Sequence, residues 1–156
     1  MVARSPGATH LAPRPEVGDA TRHGSVGPNV TRAVSEGQMF LHYQPVFALA
    51  DSSVVALEAL VRWEHPDDGL IAPDEFIRIA EEHGSIIPLG AWVIAEVCEQ
   101  IAAWDRLGLP PLRLAVNLSA RQFRHLYLAS MIEDSLRQNG IEPQRLEIEL
   151  TESLLM

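Results

Sequence analysis

From Thr31 onward, apolar and polar residues alternate in blocks that change period along the chain. Met39 to Leu49 and Val54 to Trp63 are runs rich in β-forming residues, separated by Ala50-Asp51-Ser52-Ser53. That arrangement predicts two strands joined as a hairpin. Before them, Thr31 to Gln38 reads as a short helix ending near Gly37, and after them His65 to Gly69 (HPDDG) is turn chemistry. Pro73-Asp74-Glu75 opens a helix with acid in its first turn, and Gly84 closes it after His83. A longer helix is predicted from Leu89 to Leu107, because Ile94, Val97, Cys98, Ile101 and Trp104 recur on one face. Leu112 to Leu118 then alternates as a strand, Tyr127 to Gln138 reads as a helix capped by Gly140, and Arg145 to Thr151 is a last strand. Strands alternating with helices of this length imply βαβ crossovers and a parallel sheet, hence an α/β fold.

Parity along the strands separates two kinds of face, since side chains alternate sides. Val54, Ala56, Glu58, Leu60 and Arg62 share one face of their run; Arg113, Ala115 and Asn117 share one of theirs; Glu147, Glu149 and Thr151 share one of the last. The opposite faces are apolar, as a covering helix layer requires. A barrel has this division, with helices outside and polar groups gathered at the C-terminal mouth. Burying a carboxylate costs several kcal/mol unless it is paired or bound to a metal. Glu58, Asn117 and Glu149 together therefore suggest an oxygen-lined cation site, suited to Mg²⁺ or Mn²⁺ rather than Zn²⁺. Arg62 shares the face of Glu58 and is placed to hold a phosphate bidentately. A lone Glu in a strand is more often an edge or solvent-facing residue, and on pattern alone both readings stand.

Residues 1–30 lack apolar periodicity and carry Pro6, Pro13, Pro15, Pro28, Gly7, Gly18, Gly24 and Gly27, so a disordered Pro/Gly-rich tail is expected. The composition of the whole 156-residue chain, 47% hydrophobic and 21% charged, is that of an ordinary globular protein. Twelve basic residues stand against twenty-one acidic ones, a net charge of −9, and every basic residue is Arg. The acidity argues against DNA or RNA duplex binding, and the absence of Lys leaves no catalytic ammonium in this chain. The single Cys98 excludes an intramolecular disulfide and reads as a buried structural thiol. No continuous apolar run of about 18 residues occurs, so no membrane span and a cytoplasmic location are expected. The spacings of His42, His65, His83 and His125 match no zinc motif, and Trp63, Trp92 and Trp104 read as core.

The same segments resemble the EAL-domain family of bacterial cyclic di-GMP phosphodiesterases, colinearly from about Thr31 to Met156. The resemblance lies in FLHYQPV (Phe40 to Val46), EALVRW (Glu58 to Trp63), HPDDGLIAPDEFIRIAEEHG, LGAWVI, NLSARQF (Asn117 to Phe123) and ELTES (Glu149 to Ser153). Val61 stands where the family commonly has Leu. It implies a TIM-like barrel whose first strand runs antiparallel. It further implies that Glu58, Asn117 and Glu149 ligate one of two Mg²⁺ or Mn²⁺ ions. Gln44 and Arg62 would approach the dinucleotide and its phosphate, Leu60 a guanine, and Glu152 would anchor a loop. The family reaction is two-metal hydrolysis of cyclic di-GMP to linear pGpG.

The family pattern continues with an Asp-Asp-Phe-Gly loop, a catalytic Lys and further acidic and Gln positions that these residues do not include. Asp67-Asp68 lies in a turn and is no substitute. The expectation is therefore the N-terminal, truncated portion (31–156) of such a domain, an incomplete barrel with about four of eight strands. As an isolated chain it is expected to be inactive. The alternative is a non-catalytic cyclic di-GMP-binding or protein-interaction module, self-associating through exposed barrel edges.

Overall fold

The computed structural model describes residues 30–150. The expected tail, Glu152 and the last residue of the final predicted strand lie outside the described residues, except that Val30 is helical and fully buried rather than part of a tail. The helix α1 (30–35) ends where Gly37 takes a left-handed backbone (φ 69°) and the Gln38 N–H reaches back to the Ala33 carbonyl.

The expected hairpin is present as β1 (Met39–Phe47) and β2 (Val54–His65), paired antiparallel with Gln44 opposite Glu58 and Met39 opposite Trp63. β2 then turns back once more. β3 (Gly69–Ile71) pairs with its end, Trp63 opposite Ile71. The pattern predicted a turn there and no strand, because three residues carry no readable period. His65 builds the turn: its Nδ1 accepts from the Asp67 and Asp68 N–H groups, both at 3.3 Å.

α2 (Pro73–His83) begins and ends as its sequence requires, with Pro73 in the first turn and Gly84 as the left-handed cap at φ 81°. α3 (Ile86–Arg106) starts a turn earlier than expected. Pro88 explains the difference, since proline is tolerated in a first helical turn where its missing N–H has no partner to lose. By length and composition α3 would also suffice to cross a membrane, although it holds no continuous apolar run of that length. In this fold Leu89, Val93, Ile94, Val97, Cys98 and Ile101 are buried, and Glu96 and Glu99 interrupt the run, so α3 acts as a core helix.

β4 (Arg113–Leu118) lies parallel to β2, and β5 (Leu146–Leu150) parallel to β4. Between them come α4 (Ala120–Phe123), a single turn, and α5 (Leu128–Asn139). The mixed sheet has five strands in the order β1-β2-β4-β5, with β3 added to β2. Four strands thus follow the expected path and β3 is the unexpected fifth. Leu114, Val116, Leu118, Ala59 and Trp63 turn toward the helices and form the core with Phe76, Ile79, Ile94 and Ile101. Trp63 sits edge-on to Phe76 and donates from Nε1 to Gln38 Oε1 at 3.1 Å, while Trp104 packs edge-on against Tyr43. Arg145 ties the end of α3 to the strands, donating to the Leu112 carbonyl at 2.8 Å and to both Asp105 oxygens. The result is part of a barrel wall: helices on one side, an open face on the other.

Candidate functional site

The register places the predicted polar residues on the open face, at two successive levels. Gln44 is directly opposite Glu58, His42 opposite Leu60 and Phe40 opposite Arg62. On the other side Glu58 is opposite Ala115, and Asn117, two residues further on, is opposite Glu149. Ala56 and Ala115 are buried among these longer neighbours, which leaves room for the carboxylates to lean together. The Asn117 Nδ2 donates to Glu58 Oε1 at 2.6 Å. A carboxylate only accepts, so that bond determines which end of the amide faces Glu58 and turns Asn117 Oδ1 away from it.

Charge along the face is uneven. At the N-terminal end Arg113 pairs with Glu147 at 3.4 Å. At the C-terminal end, among the described residues, no basic side chain comes within ion-pair distance of Glu58 or Glu149. The Glu149 carboxyl is accordingly pushed above its ordinary value, by partial burial first and then by the negative charges of Glu58 and Glu147. Glu58 and Glu149 thus act on each other with their charge uncompensated among the described residues, and no three His, Cys, Asp or Glu side chains converge there. Arg62 is half-buried above them and donates to the Val61 carbonyl at 2.8 Å.

A model of the EAL domain matches residues 29–156. The chain belongs to the EAL-domain family. It is 43% identical over 128 residues to the cyclic di-GMP phosphodiesterase PdeR of Escherichia coli, covering 82% of this chain and 19% of that protein. It is 40% identical over 128 residues to the bifunctional diguanylate cyclase/cyclic di-GMP phosphodiesterase MucR of Pseudomonas aeruginosa, again 82% of this chain and 19% of the relative. Among solved structures it is similar to the PaMucR phosphodiesterase in complex with c-di-GMP, with a TM-score of 0.78 and 39% identity, over 84% of this chain and 53% of that one. The chain therefore spans under a fifth of the length of these curated relatives and about half of that solved EAL domain.

Within this EAL-family chain, Gln44, Glu58, Leu60, Arg62, Asn117 and Glu149 are on one face, and Glu152 lies outside the described residues. The four histidines of the described residues do not assemble: His42, His83 and His125 are exposed at separate places and His65 is in its turn. Pattern reading missed α4 and its residues Ser119 and Gln122, whose side chains and backbones cap each other reciprocally. The signal was present as Ser-x-x-Gln directly after a strand. A cleft of about 400 Å³ on the helix side, between α2 and α3, reaches the candidate site only at Asn117.

Proposed function

We propose that the open face is the first portion of a divalent-cation and cyclic-dinucleotide site, of the kind used to hydrolyse cyclic di-GMP to its linear form. The observation carrying this reading is the Glu58–Asn117–Glu149 group, in which Asn117 donates to Glu58 at 2.6 Å and Glu149 feels the charge of Glu58, with no basic neutraliser among the described residues. That donor set fits Mg²⁺ or Mn²⁺: hard oxygens, two of them anionic, with Asn117 Oδ1 directed off Glu58. When bound, such a cation would polarise a phosphodiester and lower the pKa of a bound water.

The remaining residues have separate tasks. Arg62 presents a planar fork, suited to two phosphate oxygens, at the C-terminal end of the same strand as Glu58. Gln44, opposite Glu58, offers an amide to the ligand, and Leu60 between Glu58 and Arg62 offers apolar surface to a base. Three ligands hold at most one ion loosely, and no Lys is available to orient a water. The 156-residue chain alone is proposed to bind the cation and not to turn over.

Incubation of this chain with cyclic di-GMP and Mn²⁺ tests the reading. The expected outcome is Mn²⁺ binding that Glu58→Ala abolishes, and no linear product. Turnover that disappears in Glu58→Ala would overturn the claim of inactivity. A second reading, a non-catalytic binding module, is favoured by the unpaired outer edges of β1 and β5 among the described strands and by exposed Phe47 and Leu150. Micromolar affinity for the dinucleotide by calorimetry, without turnover, would select it.

A further inference from the structure

The one-turn helix after β4 is locked to the α2–α3 junction by a single buried side chain. Gln122 is 6% exposed and Ser119 5%. Gln122 Oε1 accepts from the Ser119 N–H at 2.8 Å, its Nε2 donates to the Ile86 carbonyl at 3.0 Å, and its own N–H points to Ser119 Oγ at 3.4 Å. The side-chain amide lies directly on Gly90 of α3, where a Cβ would come within 1.9 Å of Nε2 and 3.1 Å of Cδ. Glycine inside a helix costs about 1 kcal/mol relative to Ala, and Gly90 has an ordinary helical backbone, so close approach is what calls for glycine here. Next to it, Arg121 donates to the Glu81 carbonyl at the end of α2.

Asn117 is two residues before Ser119, and Leu118 between them is buried in the core. The end of β4 is therefore held on one side by its ladder to β5 and beyond its last residue by Gln122. We propose that Gln122, seated on Gly90, is the positioning residue for Asn117. It sets the direction in which the backbone leaves β4, and so keeps the Asn117 amide with Nδ2 on Glu58 and Oδ1 outward. Without it the Ser119 N–H is buried and unpaired, the turn frays, and Asn117 gains rotamer freedom. Gly90→Ala acts through the same side chain. The atom it displaces is the movable end of Gln122, so the amide leaves its two partners before the helix backbone shifts. The orientation of Asn117 stands on the geometry alone; its consequence for a cation rests on the proposed site.

The test uses the whole chain labelled with ¹⁵N-asparagine, reading the Asn117 side-chain amide signals, alongside Mn²⁺ affinity by electron paramagnetic resonance. Gln122→Ala and Gly90→Ala are each expected to shift the Asn117 signals toward those of an amide with no carboxylate partner. Both should weaken Mn²⁺ by about ten-fold or more, the usual effect of losing a supporting hydrogen bond. The Gly90→Ala/Gln122→Ala double variant should be no worse than Gln122→Ala, because the truncated side chain no longer occupies the space the new methyl takes. Ile101→Val, a destabilising core change elsewhere in α3, should leave both readouts unchanged. Unmoved Asn117 signals in folded Gln122→Ala would overturn the proposal, as would additive losses in the double variant. Should Asn117→Ala leave Mn²⁺ affinity intact, the cation reading fails instead, and the Asn117 signals still judge the role of Gln122.

Discussion

Asn117 and Glu58 are 59 residues apart in sequence and 2.6 Å apart in space, amide nitrogen to carboxylate oxygen. The bond crosses from β4 to β2 and orients both groups at once. Asn117→Ala is expected to lower Mn²⁺ affinity by about ten-fold or more, since it removes a donor oxygen and frees Glu58. A titration followed by electron paramagnetic resonance measures it; an unchanged affinity would remove Asn117 from the site.

The raised Glu149 carboxyl makes cation binding pH-dependent. Its folded pKa exceeds its unfolded one, so protonation favours the folded, metal-free state. That advantage is complete below the ordinary value of 4.5 and is lost as pH rises through the higher folded value. A cation competes with this proton. Mn²⁺ affinity should therefore fall as pH drops through the raised Glu149 value, and Glu149→Gln should flatten the profile. In the metal-free chain Glu149→Gln should change stability by no more than about 0.5 kcal/mol, in the stabilising direction at neutral pH. Urea denaturation at pH 7 and at pH 5 checks both signs.

Trp63 anchors β2 in the core. It is 1% exposed, sits edge-on to Phe76 and donates to Gln38. Trp63→Ala should cost about 3–5 kcal/mol through the cavity it leaves, read as a lower urea midpoint. A loss under about 1 kcal/mol would contradict the packing described.

Cys98 is fully buried in α3, and burial pushes its thiol up to about 11. Since the thiolate is the reactive form, the folded protein should resist a thiol-specific disulfide reagent at pH 7 and react only as it unfolds. Prompt stoichiometric labelling in native buffer would show that α3 is not packed as found.

Much of this arrangement was readable from pattern. Pro73 and Gly84 delimited α2 at both ends, because helix caps are short-range chemistry. Strand parity put Glu58, Asn117 and Glu149 on the face away from the helices, because alternation depends only on neighbours along the chain. β3 escaped because three residues have no period, and α3 begins at Ile86 rather than Leu89 because a first helical turn accepts Pro88. Gln122 went unread for a different reason. A polar residue in a short helical turn looks like surface until Gly90 is found beneath it.

Apart from β3 and α4, the local order of apolar and polar residues by itself determined the element types, the open face and the chemistry of its oxygens. Only the tertiary structure decided which of those oxygens meet. It placed Arg113 against Glu147 and left Glu149 without such a partner among the described residues, it set Asn117 on Glu58, and it seated Gln122 on Gly90. Each of these depends on the register between strands and the approach of helices distant in sequence. Periodicity along one strand carries no information about its neighbour's register, so that part of the site exists only once the sheet has formed.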